Sequence, residues 1–137
     1  MKKPFAVALM TLAALPALAG SPARDTILAG LATEAKKADP SFAGFSADRG
    51  ASFFGATQKG GKPDTPSCTS CHGTTPEATG TTRAGKPVEP LAVSKVPTRY
   101  TDPEKVAKWF QRNCTSVLGR ECTALEKGDF ITFMATR

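Results

Sequence analysis

The chain has 137 residues, a formal net charge of +6, four cysteines and a single histidine. That length gives one small domain. The basic balance comes without a Lys/Arg run, which argues against a nucleic-acid binder and leaves scattered lysines suited to steering an acidic protein partner.

Residues 1–19 read as a secretory signal peptide. Lys2 and Lys3 form the charged start, an apolar run follows from Phe5 to about Leu15, and Ala17-Leu18-Ala19 is a small-x-small cleavage site. The apolar run is short for a membrane anchor, and no later segment is long and apolar enough to cross a bilayer. Cleavage after Ala19 removes two lysines and lowers the charge to +4. The expected compartment is a bacterial periplasm, with no membrane insertion after cleavage. In an oxidising compartment, cysteines without another role tend to pair.

Residues 20–45 are expected to form an N-terminal extension, and 46–137 the main domain. In the extension, "PARDTILAGLATEAKKA" at 22–38 predicts a helix. Ile27, Leu28 and Leu31 make a narrow apolar stripe, and Asp39-Pro40 ends it. "SADRGASFFG" at 46–55 predicts a second short helix with Ser46 as N-cap. Gly50 lowers its helix propensity but permits another helix to cross closely. From Gly55 to Thr101 the chain reads as loop, rich in Pro, Gly and Thr. So long a loop suits a compact domain only if it wraps a large rigid group. "TDPEKVAKWFQRNC" at 101–114 predicts a helix capped by Asp102, with Pro103 at its first position and Glu104 at the positive end. Val106, Trp109, Phe110 and Asn113 share one of its faces. "TALEKGDFITFMATR" at 123–137 predicts the last helix, opened by a Thr123/Glu126 capping box.

The loop contains "PSCTSCHG", residues 66–73. Two cysteines three apart can add their thiols to the two vinyl groups of a haem, and the histidine that follows projects under the iron. Cys68, Cys71 and His72 therefore read as covalent haem c attachment, with His72 as proximal ligand. A thioredoxin-type dithiol expects a βαβ pattern, and the chain has none. A zinc site needs two further ligands, and the only spare thiols are those of Cys114 and Cys122, which can pair with each other. The expected fold is all-α, class I-like cytochrome c, with long loops, an extra N-terminal helix and a buried porphyrin in place of part of the core.

The second axial position is less plain. After cleavage the only methionine is Met134, on the last helix, where a core role is the simpler reading. No second histidine exists. Lys86, Lys95, Tyr100, Asn113, water or an open site remain. Asn113 shares a face with Val106, Trp109 and Phe110. It is either a C-terminal cap or a haem-pocket group, and a buried amide must find partners. A Cys114–Cys122 disulfide closing so short a loop would contribute about 2–3 kcal/mol and fix the backbone beside Asn113. Arg83 is a candidate for gripping a haem propionate, against a plain solvated role. Trp109 is expected to pack on the haem, and Tyr100 to pack nearby.

"GGKPDTPSCTSCHG" with "PLAVSKVPTRYTDPEKVAKWFQRNCTSVLGREC" resembles the sphaeroides haem protein family, from about Arg49 to the C-terminus. The run Lys108 to Cys114 carries the resemblance more specifically than the haem motif does. It implies an exported, high-spin c-type cytochrome that binds oxygen. It further implies that Asn113 is an axial ligand of ferric iron that leaves on reduction, opening the iron to oxygen or nitric oxide, and that Cys114 and Cys122 form the family's bridge. The implied electron source is a dihaem c-type cytochrome, itself fed by a membrane cytochrome b. The alternative is a plain electron carrier, six-coordinate in both redox states through Met134 or a lysine. An enzyme, such as a peroxidase, is not expected: no distal histidine and no carboxylate beside the iron is evident.

Overall fold

The computed structural model describes residues 20–137, so the signal-peptide expectation for 1–19 lies outside it. Among the described residues there are five helices, α1 (Pro22–Ala38), α2 (Ala47–Gly55), α3 (Thr69–His72), α4 (Pro103–Leu118) and α5 (Ala124–Ala135). Two strands of two residues, Gly80–Thr81 and Pro87–Val88, pair antiparallel as a small hairpin. No helix of the described residues is long and apolar enough to cross a membrane.

Local chemistry sets the helix ends. The Ser46 hydroxyl accepts the Arg49 N–H at 3.2 Å, and the Asp102 carboxylate accepts the Lys105 N–H at 3.1 Å. Thr123 and Glu126 exchange both bonds of the capping box. Helix α4 runs one turn further than the sequence suggested. It stops at Gly119, whose φ of +69° supplies the left-handed cap. Asn113 therefore sits inside α4, and the reading of it as a C-terminal cap is corrected.

Helix α5 is the centre of the fold. Ile131 and Met134 on it are fully buried, and α1 and α2 both pack against it. The α2 crossing is close enough that a Cβ on Gly50 would collide with the Asp129 carbonyl and lie 2.8 Å from the Phe133 Cβ. A latch fixes this crossing. The Asp129 carboxylate, in a residue 3% exposed, accepts the Ser46 N–H at 2.7 Å and two bonds from the Arg49 guanidinium at 2.7 and 2.8 Å. One buried carboxylate thus caps α2 and neutralises its first-turn arginine. Helix α1 adds Ile27, Leu28 and Leu31 to the same core.

Helix α4 meets α5 through side chains, with Phe110 edge-on to Phe130 at 5.5 Å between ring centres. Its C-terminal end is held by the 60–65 loop, where the Lys62 N–H donates to the Ser116 carbonyl at 2.7 Å. Gly50→Ala should cost about 1–3 kcal/mol, because the added methyl meets backbone that cannot yield. Guanidinium unfolding of the holoprotein checks it, with a lowered midpoint and an unchanged slope expected.

Candidate functional site

A cavity of about 740 Å³ lies between the 62–72 segment, the hairpin, the 88–101 loop and the inner face of α4. Its wall brings together Cys68, Cys71, His72, Tyr100, Trp109 and Asn113. Much of the rest is apolar, including Phe53, Leu91, Val106, Phe110 and Phe130. That size and character suit a cofactor site.

The short helix α3 carries the motif. Its backbone turn places the cysteines one turn apart, with the His72 N–H donating to the Cys68 carbonyl at 3.1 Å. The strand at Gly80 runs so close behind that a Cβ there would collide with the Cys71 carbonyl and lie 2.8 Å from the His72 Cα. Cys68 and Cys71 are free thiols, not joined to each other. Burial pushes the Cys68 thiol up to about 11. A redox dithiol needs the opposite, a lowered thiol that is ionised near neutrality. For His72, burial, and then the Arg99 charge, lowers its pKa and keeps the imidazole neutral, the form that binds a metal. Its Nδ1 is buried with no hydrogen-bond partner among the described residues. Two thiols, a neutral imidazole and an apolar chamber fit a covalent haem.

The candidates for the second axial position separate clearly. Met134 is 0% exposed in the α5 core and does not reach the cavity wall. Lys86 and Lys95 do not line the cavity either. Tyr100 does, but its hydroxyl donates to the Leu91 carbonyl at 3.1 Å, and burial raises its pKa strongly. Asn113 lines the cavity but is exposed and not buried as its helix face suggested, because that face borders the open chamber; its side chain has no hydrogen-bond partner among the described residues. Exposed Lys62 and Lys105 also border the space, which the sequence did not signal; Lys105 lies 3.4 Å from Asp102.

Other expected residues take these positions. Cys114 and Cys122 are joined by a disulfide with Cα atoms 5.6 Å apart, next to Asn113 and just before α5. Arg83 lines the cavity and pairs with Asp64 at 2.6 Å. Trp109 is on the wall yet 50% exposed, with the Arg112 guanidinium 5.1 Å from its ring centre. Arg99 is a wall residue that sequence reasoning missed; nothing in the local pattern distinguishes it from a solvated arginine.

The chain resembles known proteins over most of its length. Residues 40–134 match a family model described as a domain of unknown function, DUF1924. The cytochrome c-type protein SHP of Cereibacter sphaeroides is 48% identical over 122 residues, covering 89% of this chain and 90% of that one. The solved structure of oxidized SHP, an oxygen-binding cytochrome c, superposes with a TM-score of 0.77 at 45% identity, over 86% of this chain and all of that one. The solution structure of cytochrome c'' from Methylophilus methylotrophus, described for haem-ligand detachment, gives a TM-score of 0.71 at 30% identity over 83% of this chain and 93% of that one.

Replacing both Cys68 and Cys71 with serine should release the haem to acidified organic solvent, whereas the unaltered chain should keep it through denaturation. Mass spectrometry of the denatured protein reads the difference.

Proposed function

The chain belongs to the family of the cytochrome c-type protein SHP, and on that premise we propose that it binds small diatomic gases, oxygen or nitric oxide, at a haem whose Asn113 ligand leaves on reduction. Its fold is that of a class I-like cytochrome c, and its cofactor is haem c. The haem supplies the iron that takes up one electron and the gas. The chain's own residues decide when that position is open.

One observation supports the reading above the rest. Asn113 lines the cavity together with Cys68, Cys71 and His72, while Met134, Lys86 and Lys95 lie elsewhere. A neutral amide oxygen is a hard, weak donor, better matched to ferric than to ferrous iron. Reduction therefore favours its release. The freed amide then offers an N–H to a gas molecule entering the pocket, as polar groups on the distal side do. Oxygen binding by SHP and haem-ligand detachment in cytochrome c'' agree with this.

His72 takes the proximal role, with Cys68 and Cys71 as the thioether residues. The disulfide and the Lys62–Ser116 bond hold the backbone on the C-terminal side of Asn113. The amide can then leave by turning its side chain, with little movement of α4. Trp109 would pack against the haem edge, and Arg83 would grip a propionate only by giving up Asp64. The protein is exported to the periplasm and takes electrons from a redox protein, a dihaem c-type cytochrome supplied by a membrane cytochrome b. It is a gas-binding electron acceptor and not a dedicated enzyme. A plain electron carrier is the weaker reading: a sixth ligand from Met134 would require α5 to leave its core, Lys86 and Lys95 lie off the cavity, and of the two lysines that border it Lys105 is paired with Asp102.

Asn113→Ala should change the ferric spectrum, as water takes the amide's place, and leave carbon monoxide association to the ferrous protein within about twofold. Asn113→His should slow that association by about tenfold or more, because imidazole holds both iron states. An Asn113→Ala protein with an unchanged ferric spectrum and unchanged gas binding would sink the proposal. Separately, replacing Cys114 and Cys122 with serine should cost about 2–3 kcal/mol by the entropy of so short a loop, read from the unfolding midpoint of the holoprotein.

A further inference from the structure

Arg24 is the most unusual charged residue outside the site. It lies in the first turn of α1 and is 4% exposed. Among the described residues no carboxylate pairs with it. A cation there also faces the positive end of its own helix, which local electrostatics disfavours. Burying an unpaired guanidinium is costly unless its donors are satisfied. Two of its three nitrogens, Nε and Nη2, find acceptors, all on one segment of chain. Nη2 donates to the Pro97 carbonyl at 2.8 Å and the Arg99 carbonyl at 2.9 Å, and Nε donates to the Arg99 carbonyl at 3.2 Å.

That segment forms a wall of the haem cavity. Tyr100 has a φ of +60°, a conformation costly for a bulky residue and kept only where neighbours enforce it. Its ring stands edge-on to Phe130, and its hydroxyl is tied to Leu91. Arg99 also lines the cavity, and its guanidinium is held by the Pro90 and Glu89 carbonyls at 3.0 Å each. Its nearest carboxylate, Glu89, is 3.7 Å away and well exposed, so it neutralises Arg99 weakly.

We propose that Arg24 is a positioning residue for the haem. By clamping the Pro97 and Arg99 carbonyls it holds Tyr100 in its strained turn and fixes the Arg99 cation against the cavity. A fixed positive charge there disfavours the ferric haem, which carries one more positive charge than the ferrous, and so raises the reduction potential. The transfer concerned is one electron from an external donor to the iron, with no proton moved. The inference rests on the cytochrome reading.

Redox titration of the holoprotein with mediators tests it, with haem content measured in parallel. Arg99→Gln should lower the one-electron reduction equilibrium constant about tenfold, ~59 mV. Arg24→Gln should lower it in the same direction by about threefold, Arg24→Lys should recover about half of that, and Arg24→Gln should add little once Arg99 is already Gln. A haem-loaded Arg24→Gln protein of unchanged potential overturns the role of Arg24, as does a shift that simply adds to that of Arg99→Gln. Should Arg24→Gln fail to fold, Arg99→Gln and Arg24→Lys still decide, and an unchanged potential in both overturns the proposal. A wild-type chain without covalent haem overturns the cytochrome reading itself.

Discussion

The structure depends on a space that its own side chains do not fill. A cavity of about 740 Å³ in a small domain is a severe demand. Phe130, Phe110 and Leu91 stand on its wall, and a chain this short has little other apolar surface with which to close it. A covalently held haem resolves this, and the two thioethers keep it from leaving. The long 55–101 segment and its small hairpin suit a chain with a rigid disc to wrap.

The walls divide between a firm side and an adjustable one. α2 and α5 are locked by the Gly50 crossing and the Asp129 latch, and α1 adds a third layer to that core. The 97–100 turn is clamped from behind by Arg24. At the end of α4 the disulfide and the 60–65 loop hold the backbone. Within these restraints Asn113 keeps a free amide. On the proposed reading, such a side chain on a fixed backbone could serve as a weak ligand and leave without disturbing the fold.

Much of this was legible where the signal is local. Ser46, Asp102 and the Thr123/Glu126 pair act within four residues of themselves, so their caps could be read directly. Gly50 could be read too, because a glycine beside two phenylalanines in a short helix has few other uses. The haem motif packs its chemistry into five residues. The misreading of Asn113 as a possible cap arose because Asn ends helices often, while the true stop, Gly119, lay one turn on. Contacts between distant segments were not legible. Arg24 reaches residues 73 and 75 positions away, and Asp129 reaches back more than 80. No spacing rule encodes either. The positive φ of Tyr100 is likewise imposed by tertiary packing against the preference of the residue.

Coordination of the reduced iron bears most directly on the central claim that the sixth position opens on reduction. Optical and EPR spectra of the wild-type holoprotein should be recorded ferric, then optical spectra after dithionite reduction, with and without carbon monoxide. A high-spin ferrous spectrum with rapid carbon monoxide uptake is expected if Asn113 departs. A low-spin ferrous spectrum indifferent to carbon monoxide would contradict it and mark the protein as an ordinary electron carrier with a strong second ligand.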